Sequence, residues 1–307
     1  MARRRAPSSV LVKQLSPLHD LPSEIIIHII ECALCNDRPS DLALISPIIR
    51  HFVNTTIYRT VALGTSHIVT LFHRTAVSPR SSFLLTHVKR LAITCGHGYI
   101  ASCDTEQRFR QIISKCPGLR SLAIPSLRQV NISPSVISSS DGPSDLTIRT
   151  FEDISDTFPL SSKPQSPHAL FSSSLTHLRI CEPGDTWQSP LSIIAAFHGA
   201  PNLTHLQLAR RADSNKNNDI IFVDQIAQLL SSRKSLKKVV ITIFGGPPRL
   251  TPYASRESGI WMLVSKLQEF DSRVVVMEGE LGKWSEGWKD TKRFRCGGHP
   301  VNFWKMV

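Results

Sequence analysis

The sequence predicts an α/β chain in which parallel strands alternate with helices, placed behind a short N-terminal module of three helices. Three observations carry this expectation. The pattern apolar-x-x-apolar-x-apolar recurs five times, as Val88-x-x-Leu91-x-Ile93, Leu119-x-x-Leu122-x-Ile124, Leu175-x-x-Leu178-x-Ile180, Leu203-x-x-Leu206-x-Leu208 and Leu236-x-x-Val239-x-Ile241. Apolar residues at helical spacing fill the intervals between these motifs. Ahead of them, residues 18–63 hold three short helical segments divided by Asn36-Asp37-Arg38-Pro39 and by Pro47.

At 307 residues the chain has room for one small and one larger unit. Its net charge of +12 and pI near 9.7 favour acidic partners (nucleic acid, anionic membrane or acidic protein) without choosing among them. Residues 1–17 form a basic lead without the apolar core of a secretory signal. No stretch approaches the roughly 18 apolar residues of a membrane helix. Seven cysteines, an odd number without framework spacing, agree with a reducing compartment. The expected location is intracellular, in cytoplasm or nucleus.

In chain order, Pro22 stands near a helix start, where its missing N–H costs nothing, with Asp20 upstream as a cap. Ile25, Ile26, Ile29, Ile30 and Ala33 follow on one helical face. Ser40 is expected to cap a second helix carrying Leu42 and Ile45 inward. Ser46 is expected to cap a third through about Val53, burying Ile49, Phe52 and Val53. Tyr58-Arg59-Thr60-Val61-Ala62-Leu63 reads as a strand.

These residues resemble an F-box: Leu21-Pro22-x-Glu24-Ile25, the isoleucines one turn on, Leu42, and the closing Ile57-Tyr58-Arg59-Thr60-Val61-x-Leu63. The match spans about 45 residues and is similar in particular to F-box proteins with a leucine-rich-repeat-like C-terminal half. One departure is the run Ser46-Pro47-Ile48-Ile49-Arg50-His51-Phe52, where Phe52 stands in for the tryptophan frequent in the family. The resemblance implies docking onto the Skp-type subunit of a cullin–RING ubiquitin ligase, of the SCF type, with Leu21, Pro22, Ile25, Ile29 and Leu42 at the contact. It also implies that the repeat half holds a protein substrate, contributing proximity and no catalytic chemistry.

The five motifs start 31, 56, 28 and 33 residues apart, and 56 is twice 28. Cys116-Pro117-x-Leu119 and Ala200-Pro201-x-Leu203 place proline at the same offset before the strand. Helical stretches lie between: Phe109, Ile112 and Ile113; Leu191, Ile194 and Phe197; Ile221, Ile226, Leu229 and Leu230; Ile260, Leu263, Val264 and Leu267. Strand, turn, helix and return is the unit of a leucine-rich-repeat-like solenoid, expected over residues 64–281. The alternative, a doubly wound parallel sheet, wants longer apolar strands. A Ser/Pro-rich insertion at about 131–174 interrupts the series, with Leu146-Thr147-Ile148 through Phe151 as a degenerate repeat strand inside it. Val274-Val275-Val276 is expected as a final strand.

Catalytic patterns are missing: no Gly-x-Ser-x-Gly, phosphate loop or His-Glu-x-x-His occurs. Gly245-Gly246-Pro247-Pro248 is a turn. His28, Cys32 and Cys35 share a helical neighbourhood, but a structural zinc wants four ligands, so they read as buried reduced groups, as do Cys95, His97, Cys103 and Cys116. Neither cofactor nor metal is expected. The tail 282–307 carries Trp284, Trp288, Phe294, Phe303 and Trp304 among six basic residues. Its expected role is to cover the open end of the repeat core. The alternative is a stacking platform for nucleic acid.

Side chains alternate along a strand, so the residues between apolar positions point away from the core. One such set is Arg90, Ser121, His177, His205 and Lys238; the next is Ala92, Ala123, Arg179, Gln207 and Val240. With strands about 4.8 Å apart, the first set forms a basic, histidine-bearing column on the concave face. Such a column expects a partner with an acidic patch, bound more weakly at high salt.

Overall fold

The strand order of the sheet is the order of the chain, β1 through β8, and every pairing is parallel. The computed structural model describes residues 21–95, 103–126, 142–151, 174–197, 199–245, 255–289, 294 and 302–307. Helices α1 (Ser23–Asn36), α2 (Pro39–Ile45) and α3 (Pro47–Tyr58) precede β1 (Thr60–Leu63). Then come α4 (Ser66–Val77), α5 (Ser82–Leu85), β2 (Arg90–Ile93), α6 (Cys103–Ser114), β3 (Ser121–Ile124), β4 (Asp145–Ile148) and β5 (His177–Ile180). The series closes with α7 (Pro190–Ala196), β6 (His205–Arg211), α8 (Lys216–Ser232), β7 (Lys238–Phe244), α9 (Gly259–Phe270), β8 (Val274–Gly279) and α10 (Phe303–Met306).

A doubly wound sheet reverses its strand order at a switch point. This one never does, so each strand stacks on the one before it, as in a solenoid-like α/β fold. The recurring motif sets the register. Leu91, Leu122, Leu146, Leu178, Leu206, Val239 and Val274 face one another across the ladder. All seven are buried beneath Phe109, Ile112, Phe197, Phe222, Ile226, Ile260 and Val264 of the helical layer. No repeat could hide that surface alone; burial of each row depends on its neighbours.

Local signals fix the element ends. Ser46 Oγ accepts from the Ile49 N–H at 3.2 Å, with Pro47 in the first helical position. Ser189, Asn215 and Ser258 cap α7, α8 and α9 in the same way. Before β6 the chain turns through left-handed Gly199 (φ 79°) and Ala200 (φ 36°), and Arg233 Nη1 donates to the Ala200 carbonyl at 3.1 Å.

Several expectations need correction. Pro39 opens α2, so Ser40 lies inside that helix and donates to Asp41 Oδ1 rather than capping. Helix α3 continues to Tyr58, and the strand begins only at Thr60. Helix α4 was not anticipated; Val69 and Ala76, with Phe72 between them, seat it on the core. Asp20 and His97 lie outside the described residues, as does most of the insertion, although β4 within it pairs on both sides.

Candidate functional site

The N-terminal helices have a core of their own. Ile26, Ile30 and Leu34 of α1 pack with Ile49 and Val53 of α3, and Leu42, Phe52 and Ile57 lie half-buried around them. The isoleucine-rich face of α1 therefore splits. Ile25 and Ile29 remain 48% and 41% exposed, and Leu21 37%. Ile25 and Ile29 stand one turn apart on the same face of α1, and Leu21 lies just ahead of the helix, before its N-cap Pro22. Leu44 and Ile45 of α2 and Ile48 of α3 are also exposed, so Ile45 does not point inward as expected. Pro22 is exposed at the N-cap, whereas Leu42 belongs to the module's core. The module is not separate from the sheet: Tyr58 reaches the main core, and Arg59 O accepts from the N–H groups of Lys89 and Arg90.

The predicted column exists in register. Thr60, Arg90, Ser121, Asp145, His177, His205 and Lys238 are successive partners across seven strands. Sequence reasoning missed Asp145, although it precedes Leu146-Thr147-Ile148 as Arg90 precedes Leu91. Ser121 Oγ donates to its Oδ2 at 3.3 Å. In the second row Arg179 Nε donates to Gln207 Oε1 at 2.8 Å, and Gln207 Nε2 donates to Thr242 Oγ1 at 2.9 Å.

This face is not open. The described residues of the tail do not cover the end of the repeat core but lie across the sheet. Trp288 and Phe294 pack on Ala92 and Ala123, with Trp284 beside them. The two alanines are fully buried; their small side chains leave room for the rings. Phe303 lies under the Arg179 guanidinium at 3.9 Å, a cation–π contact. Trp304 leans on His177 and His205 at 5.7 and 5.1 Å. Lys238 Nζ donates to the main-chain oxygen of Val307. Near the start of the tail, the Gly282 N–H donates to Glu182 Oε1 at 2.7 Å, and Glu182 is bound on its other oxygen by Arg149. Of the expected surface residues, Arg90, His177, Arg179, His205 and Lys238 are half-buried, and Ser121, Gln207 and Val240 are buried.

Burial shapes the electrostatics. Desolvation, followed by His177, Lys237 and Lys238, pushes His205 down to about 4. Burial also lowers His177. The Arg90 guanidinium is lowered by burial and by the like charges of Arg59 and Arg120, against the pull of Asp145. Asp145 is raised by burial, opposed by Arg179, Ser121 and Arg90. Under the tail, between the Trp288 and Trp304 contacts, lies a cavity of about 980 Å³.

Cys32 and Cys35 are exposed on α1, contrary to the expectation of burial. Cys95 and Cys116 are buried; burial raises both thiols, Cys116 to about 12, which keeps them protonated. Among the described residues no group of three or more His, Cys, Asp or Glu could hold a metal ion, and no helix is long and apolar enough to cross a membrane. A second cavity, of about 280 Å³, lies beside the buried Arg210–Asp219 pair at the start of α8. No protein-family model, curated protein or solved structure matches this chain.

Proposed function

We propose that the chain is a non-catalytic substrate-recognition adaptor of an SCF-type ubiquitin ligase. In this reading the F-box-like helices dock a Skp-type subunit and the repeat half presents a protein substrate. One observation carries the reading: α1 fills its own core with Ile26, Ile30 and Leu34 yet leaves Ile25 and Ile29 to solvent, with Leu21 exposed just ahead of the helix. An exposed apolar stripe on a helix is the kind of anchor that a partner's groove takes. Leu44, Ile45 and Ile48 add apolar surface on the neighbouring helices, beyond the positions drawn from the family motif. The substrate surface is the residue column beneath the tail, so a substrate either displaces residues 302–307 or binds around them.

The test is a pull-down of a purified Skp-type subunit by the intact chain, by Leu21→Asp and by Ile25→Asp. Binding by the intact chain alone is the expected result. If the subunit is captured by none of the three, or equally by all, the ligase reading is wrong.

A second reading, an interaction scaffold outside any ligase, is favoured by the packing of α3 on β1 and α5. That contact lets the three helices serve as a cap on the first repeat. Capture of no Skp-type subunit, together with a folded chain, is the outcome that selects it. Nucleic-acid stacking is disfavoured by the tail itself, whose rings are spent on the sheet.

A further inference from the structure

We infer that residues 302–307 are a built-in ligand of the sheet face, and that the partner taken there is a peptide segment with two adjacent aromatic residues, which binds by displacing them. The inference rests on the reading of the residue column as the substrate surface and narrows it to a class of substrate.

The tail meets the sheet in two stretches that are held differently. In the first, Trp288 and Phe294 lie on Ala92 and Ala123, and the Gly282 N–H donates to Glu182. Lifting those rings bares apolar surface, which water opposes. In the second, Phe303 rests on the Arg179 guanidinium, Trp304 on the His177 and His205 rings, and the Val307 main-chain oxygen on Lys238 Nζ. These seats are cationic or polar, so water solvates them readily once they are uncovered.

The second stretch is also an imperfect occupant. Trp304 Nε1 is buried and has no hydrogen-bond partner among the described residues. A donor kept from water without an acceptor weakens docking about tenfold against a satisfied one. Lys305 and Met306 are exposed and add little to the contact. What the segment does seat shows what the face recognises: one ring for the guanidinium, the next for the stacked imidazoles, and an acceptor three residues on for Lys238. A peptide that repeats the two rings and satisfies its own N–H groups fills the same seats at lower cost.

Tethering sets the strength of the competition. A segment joined to its own site stands at an effective concentration on the order of 1 mM. A face that holds the free peptide with a Kd of about 0.1 mM is then weakened about tenfold by its own tail.

The test uses the full chain and a fluorescein-labelled hexapeptide with the sequence of residues 302–307, blocked at both ends, read by fluorescence anisotropy. Trp304→Ala, at a half-buried position, should bind this peptide about tenfold more tightly than the parent chain does. Phe303→Ala is a second variant of the same kind. A peptide with both rings replaced by alanine should not bind measurably, and Arg179→Ala added to Trp304→Ala should weaken binding of the original peptide about tenfold. The proposal is overturned if neither tail variant binds the peptide, if the parent binds it as tightly as they do, or if the ring-free peptide binds equally well. Loss of the fold in both tail variants, seen by circular dichroism, overturns it too, because a segment that must leave cannot be one the fold requires. No Skp-type subunit is needed, so peptide binding without capture of that subunit sinks the ligase reading alone, and capture without peptide binding sinks this inference alone.

Discussion

His177 and His205 lie ring on ring, their centroids 4.3 Å apart and their planes 10° from parallel. Neighbouring threonines set the protons. The Thr176 hydroxyl donates to the Ser144 carbonyl at 2.9 Å, so its oxygen accepts from His177 Nδ1 at 2.8 Å. Thr204 donates to the Thr176 carbonyl at 3.0 Å and accepts from His205 Nδ1 at 2.8 Å in the same way. Each Nδ1 therefore carries a proton, and burial, which lowers both groups, favours the neutral ring. A further proton on either ring places positive charge beside the other, under Trp304 and near Lys238.

The pair makes stability depend on pH. Below the ordinary histidine value of 6.5 the unfolded chain takes up protons that folded His205 refuses until about 4. The native state therefore weakens as pH falls from about 6.5 to about 4, and is unaffected by this group above that window. Urea midpoints measured across the window should fall less steeply for His205→Gln than for the parent chain.

Ala123 is fully buried beneath Trp288 and Phe294. Ala123→Glu puts a longer, charged side chain where only a methyl fits, and lifting the tail relieves it more readily than shifting a central strand. The expected outcome is a red-shifted tryptophan emission with the secondary structure kept, at a cost of about 1–3 kcal/mol in denaturant titration.

The Arg210–Asp219 pair is buried, its guanidinium nitrogens 2.8 and 2.9 Å from Asp219 Oδ1, with Trp187 and Phe222 against the guanidinium. Asp219→Ala strands the buried cation and should cost about 3–5 kcal/mol in equilibrium unfolding. Replacing both partners, as Arg210→Met with Asp219→Leu, should recover most of that loss.

Adjacent isoleucines of α1 should answer differently. Ile26→Ala removes a core side chain and should cost about 2–4 kcal/mol in thermal or chemical unfolding. Ile25→Ala, on the exposed stripe, should change stability by no more than about 0.5 kcal/mol. Equal losses at both positions would show that the stripe is not free.

The repeat motif made much of the sheet legible, because an apolar row that must meet its neighbours leaves a fixed spacing in the chain. Five strands and the degenerate strand at Leu146 appear where that spacing puts them, and the last, at Val274, where a run of valines follows the Ile260 helix. Alternation along the strand likewise predicted which residues share the second face. What could not be read was what lies on it. Nothing local in Phe303-Trp304 distinguishes a ring that caps a core from one that covers a sheet about a hundred residues upstream. The clue lay instead in Ala62, Ala92 and Ala123, three successive small residues in a row that larger ones hold from Thr147 onward. On α1, five isoleucine and alanine positions fit one helical face, but only the partner helix decides which are taken; α3 took Ile26 and Ile30 and left Ile25 and Ile29.

A stack whose units touch only their neighbours can bend and loosen at either end independently. Here the segment after β8 is anchored at Glu182, at Ala92 and Ala123, at the paired histidines and at Lys238. It works as a bowstring across strands far apart in the chain, so that flexing the stack and detaching the string become one event, felt from the second strand to the seventh at once.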